Sequence, residues 1–182
     1  MPNEWWSNAD VEPKRNYRFL VKIGPQASNT GMEGGAFWAK TCDAPSFDVT
    51  EVEHNYYDNK YYYPGRVTWN EINMTLVDPK SINLAHGLNT VISDANYKIK
   101  GSANADLVSI SKATAGAALG TITIEVYSAD GVCIEKWSLQ NPFLKSVKFG
   151  SFDYSNDELR QLDFTIRYDW CIIDGVSIDG GS

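Results

Sequence analysis

Leu162-Asp163-Phe164-Thr165-Ile166-Arg167-Tyr168-Asp169-Trp170 alternates apolar and polar residues without a break. A strand turns successive side chains to opposite faces, so Leu162, Phe164, Ile166, Tyr168 and Trp170 share one face. That face is expected to lie in the core. Asp163, Thr165, Arg167 and Asp169 take the other, wetter face. Upstream, Asp130-Gly131 separates two alternating runs, Thr121 to Tyr127 and Val132 to Leu139. An Asp-Gly pair in that place marks a tight hairpin. Phe143 to Phe149 and Leu159 to Trp170 give two further strands.

The same pattern extends toward the N-terminus. Tyr17, Phe19, Val21 and Ile23 alternate with polar or intervening residues in a first strand. Gly24 to Gly35 is rich in turn residues and reads as a loop. Ala36 to Cys42 forms a second strand, closed by Asp43-Ala44-Pro45. Phe47 to Tyr57 runs out and Lys60 to Tyr63 returns, with Asp58-Asn59 at the tip. This hairpin carries Asp48, Glu51, Glu53 and Asp58, and too few apolar positions to be stable alone. Arg66 to Val77 is a strand whose phase slips between Trp69 and Ile72, which suggests a bulge or bend.

One helix is expected. Asp78 would cap it and Pro79 would take its first position. Leu84, Leu88, Val91, Ile92 and Ala95 supply its apolar stripe. Gly101 to Gly120, rich in Ala, Ser and Gly, reads as a mobile loop. The fold class is therefore mainly β: an antiparallel two-sheet sandwich or barrel with one flanking α-helix and a long protruding β-hairpin. The expected division is an N-terminal arm over 1–16, a single β domain over 17–170 and a C-terminal tail over 171–182.

Composition narrows the function. The chain has 182 residues, a net charge of -7 and a pI near 4.8. Binding nucleic acid through phosphates needs clustered Lys and Arg, which an acidic chain does not offer. Met1 to Trp6 shows neither a basic nor an apolar leader segment, so no signal peptide and no membrane anchor are expected. Cys42, Cys133 and Cys171 form no Cys-x-x-Cys pair and read as reduced structural thiols.

No constellation points to catalysis or to a cofactor. His54 and His86 are the two histidines, and neither has a Cys or His at ligand spacing. Gly31-Met32-Glu33-Gly34-Gly35 lacks the Lys and Ser/Thr of a phosphate loop. No Gly-x-Ser-x-Gly elbow is present. Tyr56, Tyr57, Tyr61, Tyr62 and Tyr63 could form a sugar-stacking platform. Cross-strand pairing or an oligomer contact is the simpler reading, because no ligand-specific polar group accompanies them.

The ordered set of elements resembles the tail tube proteins of contractile-tailed bacteriophages, a family related to type VI secretion tube proteins. The resemblance runs from Tyr17 to Trp170. It rests on the opening strand Tyr17 to Ile23, on Phe37 to Pro45, and on Gly65-Arg66 leading through Trp69, Ile72, Met74 and Leu76 to Asp78. The Asp130-Gly131 hairpin, the Asn141-Pro142-Phe143 step and the Tyr168-Asp169-Trp170 ending complete it. It implies a non-enzymatic virion protein, assembled in the host cytoplasm, whose hexameric rings stack into a tube for DNA. Implied partners are further copies of the chain, a tail sheath protein, a baseplate or tube initiator, a tail terminator, a tape measure protein and the transiting DNA. A tube initiator or an injection-device tube of the same fold, or a carbohydrate- or peptide-binding sandwich, are the alternatives. The Tyr clusters are the expected hairpin interface. Asp48, Glu51, Glu53, Asp58, Glu71 and Glu125 are candidates for an acidic lumen or for contacts between subunits.

Overall fold

The computed structural model describes residues 13–24, 39–80, 84–97, 109–155 and 157–174. Among these lie ten strands and two helices. The strands are β1 (Phe19–Gly24), β2 (Ala39–Cys42), β3 (Phe47–Tyr56), β4 (Asn59–Trp69) and β5 (Ile72–Val77). After α1 (Leu84–Asp94) and α2 (Lys112–Leu119) come β6 (Thr121–Tyr127), β7 (Cys133–Gln140), β8 (Phe143–Lys148), β9 (Gln161–Arg167) and β10 (Trp170–Asp174).

Every strand pair is antiparallel. One sheet has the order β1-β6-β7-β10, a second β2-β5-β9-β8, and β3-β4 stands as a two-stranded sheet of its own. The first two pack face to face as a sandwich. Alternation supplies the core: Val21, Ile23, Ile122, Ile124 and Leu139 from one sheet, and Ile72, Met74, Leu76, Leu162, Phe164 and Ile166 from the other. Leu84, Leu88 and Val91 of α1 join the same core, as the helical stripe predicts. Burying a side chain of this size contributes about 1.5–3 kcal/mol.

The face predicted from Leu162 to Trp170 holds for four of its five residues. Leu162, Phe164, Ile166 and Tyr168 are buried, but Trp170 is 47% exposed. The strand stops at Arg167 and the chain crosses to the other sheet, where Trp170 opens β10 opposite Gln140. Alternation cannot be carried across such a change of sheet. The C-terminal tail accordingly does not begin at 171: β10 extends to Asp174, and Cys171 is buried opposite Leu139.

Three further expectations change. The slip between Trp69 and Ile72 is a strand break at Asn70-Glu71, and the two halves lie in different sheets. Asp78 does not cap a helix; it pairs with Arg160 through Oδ2 at 3.2 Å, and its N–H donates to the Arg160 carbonyl. The stretch expected as a loop contains α2. Ser111 caps it in a reciprocal box with Thr114, and Gly120 ends it at a φ of 72°. Alanine's helix propensity drives this segment, which has no apolar stripe to betray it. Thr114 Oγ1 also donates to the Ala95 carbonyl, tying α2 to the end of α1.

The second strand is described from Ala39 onward. Residues 1–12 of the expected arm, most of the loop over 24–35, residues 36–38, 81–83, 98–108 and 156, and the chain beyond 174 lie outside the described residues.

Candidate assembly interface

The β3-β4 hairpin leaves Tyr56, Tyr57, Tyr61, Tyr62 and Tyr63 exposed. Its register past the bend pairs Val52 with Tyr63, His54 with Tyr61 and Tyr56 with Asn59. Directly opposed residues share a face, so Val52, His54, Tyr56, Tyr61 and Tyr63 form one largely aromatic face. The intervening pairs are Glu51 with Pro64, Glu53 with Tyr62 and Asn55 with Lys60. They form a second, charged face, on which Glu53 and Lys60 bond at 3.0 Å. All ten residues of β3 are exposed. The expected tip at Asp58-Asn59 becomes Tyr57-Asp58, with Tyr57 in the left-handed region at a φ of 52° and Asn59 already in β4.

A bulge bends the hairpin where it leaves the domain. Gly65 and Arg66 together oppose Thr50. The Arg66 N–H donates to Thr50 Oγ1 at 2.8 Å. A Cβ on Gly65 would lie 2.4 Å from that same oxygen, so the backbones approach this closely only with glycine there. At the base, the Phe47 ring packs edge-on against Trp69 at 5.2 Å, and Trp69 lies 5.9 Å from the buried Tyr168. This ring chain carries the hairpin's position into the core.

The six candidate carboxylates do not share one face. Asp48 accepts from Asn70 Nδ2 at 2.9 Å near the base of the hairpin. Glu51, Glu53 and Asp58 lie farther out along it. Glu71 pairs with Lys145. Glu125 belongs to the sandwich instead, only 6% exposed, with Lys22 at 2.7 Å and the Tyr127 hydroxyl donating to it at 2.5 Å. Burial acts to raise its carboxyl pKa. The hydrogen bonds from Lys22 and Tyr127 and the charges of Lys22 and Lys136 outweigh it, and the pKa lies below its ordinary value.

His54 sits on the hairpin opposite Tyr61, and His86 is exposed on α1. Among the described residues no group of three or more His, Cys, Asp or Glu is placed to hold a metal. Cys42, Cys133 and Cys171 are free. Burial pushes Cys42 up to about 12 and Cys171 up to about 11, so both stay protonated thiols.

Sequence reasoning missed one exposed patch. Phe152 (83% exposed), Tyr154 and Leu159 stand out from the β8–β9 loop. The only available signal was aromatic residues placed among Gly150, Ser151, Asp153 and Ser155, where no strand could bury them.

No protein-family model matches the chain. No curated protein matches it either. Solved structures do. The anti-feeding prophage cap, described as a tube terminating cap, is similar over 97% of this chain and 100% of its own, with a TM-score of 0.65 and 17% identity. The sheath/tube terminator of an extracellular contractile injection system covers 92% of this chain and 100% of its own, with a TM-score of 0.64 and 17% identity. A chain of that system's sheath-tube complex covers 90% and 93%, with a TM-score of 0.59 and 19% identity. At these identities the likeness establishes the fold, and the fold is that of the tube and tube-terminating proteins of contractile injection systems.

Proposed function

We propose that this chain is a structural subunit of a contractile tail or injection device. It assembles with copies of itself into hexameric rings that stack as the inner tube within a sheath. The carrying observation is the β3-β4 hairpin, an exposed two-stranded sheet with an aromatic face and, among the described residues, no third strand. A hairpin of this kind is marginal in water alone and gains its stability from a partner surface. In a ring, the neighbouring subunit supplies that surface, and repetition covers sheet edges that would otherwise be open. The fold shared with tube and sheath-tube proteins supports the same reading.

The bore of the tube is acidic or neutral, so that DNA or another cargo slides without being held by counterion release. Glu51 and Asp58 on the hairpin, rather than Glu53, Glu71 and Glu125, which each pair with a lysine, are the residues that can supply negative charge there. Sheath, baseplate and terminator proteins are the partners that this role requires. In a bacteriophage the tube would also hold a tape measure protein and pass DNA during ejection.

A second reading is favoured by a specific observation: two of the similar structures are terminating proteins, each covered over its full length. The chain would then close a tube instead of extending it. Size-exclusion chromatography with negative-stain microscopy of the purified chain separates the cases. Tubes support the first reading, isolated rings the second, and a monomer at high concentration opposes both.

A further inference from the structure

We propose that the β8–β9 loop of one copy docks into a cleft at the opposite end of the next copy, and that this head-to-tail contact stacks the rings. The inference rests on the tube reading and assigns it a second surface, separate from the hairpin.

The loop is built to project. Gly150 turns at a φ of +73°, where a Cβ would lie 2.8 Å from the Gln161 carbonyl oxygen. Asp153 accepts from the N–H and hydroxyl of Ser155 at 2.9 and 2.7 Å, closing a local turn. The Arg160 guanidinium, held by Asp78, lies 4.8 Å from the centre of the Phe152 ring and supports it from below. Phe152, Tyr154 and Leu159 are thereby presented to solvent from a fixed base. Asp153, Asp157 and Glu158 make residues 149–159 wholly acidic in charge, with no Lys or Arg.

The cleft is complementary. It measures about 420 Å³, roomy enough for an aromatic side chain, and Phe19, Trp137, Ala44 and Pro45 give it an apolar lining. Lys14, Arg15, Asp43 and Glu135 stand on its wall, and Lys14 already pairs with Glu135, so Arg15 is the cation on which the docking relies. Lys14 and Arg15 belong to residues 13–18, a stretch that also holds Arg18 and has no acidic residue. The match is therefore chiefly one of aromatic anchors to an apolar cleft, with Arg15 at its edge facing the acids of the loop.

Register places the two at opposite ends of one sheet. The loop leaves Lys148 and enters at Gln161, which pairs with Val77 at the finish of β5. The Asp43-to-Ser46 turn at the cleft lies at the start of β5, where the Asp43 N–H donates to the Asn73 carbonyl. Two different patches at opposite ends make a heterologous contact. Such a contact repeats without closing, which is what a stack of rings requires.

The test uses the full-length chain and counts stacked against single rings by negative-stain microscopy. Replacing Phe152→Ala together with Tyr154→Ala should leave rings intact and cut the stacked fraction by about tenfold or more. Both side chains are exposed, so the fold should be unchanged. Asp157→Lys and Arg15→Glu should each weaken stacking, and both in one chain should restore part of it. Wild-type tubes that keep their length in the Phe152→Ala, Tyr154→Ala variant overturn the inference and leave the tube reading standing. Loss of rings as well as stacks overturns it too, by assigning the loop to the ring. A combined charge swap no better than its single members removes the proposed pairing. A wild-type chain that makes neither rings nor tubes defeats the tube reading itself.

Discussion

Lys22 Nζ lies 2.7 Å from Oε2 of Glu125, and the Glu125 side chain is the most shielded carboxylate among the described ion pairs. β1 and β6 pair in register beneath it, so the contact pins an edge strand to its sheet. Lys22 is itself half exposed, and solvent weakens the pair from that side.

Lys22→Met should therefore cost about 1–3 kcal/mol near neutral pH, chiefly by leaving a buried carboxylate with fewer partners. The sign with pH follows from the lowered pKa of Glu125. A depressed folded value stabilises above the unfolded value, about 4.3 for Glu, and that contribution is lost as pH falls through the folded value. Urea titrations of wild type and variant should converge in acid. A difference that stays constant down to about pH 3 would contradict the assignment.

Phe164 is 2% exposed, between Met74 on β5 and Val147 on β8. Phe164→Ala should cost about 3–5 kcal/mol. Trp170→Ala, at the exposed start of β10, should cost less than about 1 kcal/mol in the monomer. Equal losses at the two positions in denaturant titration would show that the change of sheet after Arg167 is wrong.

Gly65→Ala forces a Cβ against Thr50, where the bulge allows no room. Of the hairpin's residues only Trp69, at its base, packs against the sandwich core, so thermal unfolding of the core should change little. Assembly should fall, since the direction of the hairpin changes. Normal assembly with unchanged amide-exchange protection at Arg66 would show that the bulge does not aim the hairpin.

Cys42 and Cys171, with thiols pushed up to about 12 and about 11, should resist alkylation in the folded protein and react in denaturant. Rapid labelling of either in buffer near neutral pH would contradict their packing.

The strands were legible because two-residue periodicity survives in a sandwich with one wet face per sheet. Asp130-Gly131, with Gly131 at a φ of +77°, was legible from turn chemistry alone. What failed was local pattern at points where tertiary structure decides. Trp170 keeps the parity of Tyr168 but belongs to another sheet. Asp78 looks like a helix cap, yet Arg160, far away in sequence, takes it. α2 has caps but no stripe. Glu125 looks like one more surface acid on a polar face, and only the register with β1 brings Lys22 over it. The hairpin's two faces follow from pairing across a bulge, and residue spacing does not reveal where a bulge resets the pairing.

The central claim is that the hairpin needs a second copy of the chain. The direct test is negative-stain microscopy of the purified chain beside a variant lacking Glu53 to Tyr61, with circular dichroism to confirm that both are folded. The account predicts rings or tubes from the intact chain and a folded, non-assembling variant. Normal yields of rings or tubes from the folded variant would contradict it.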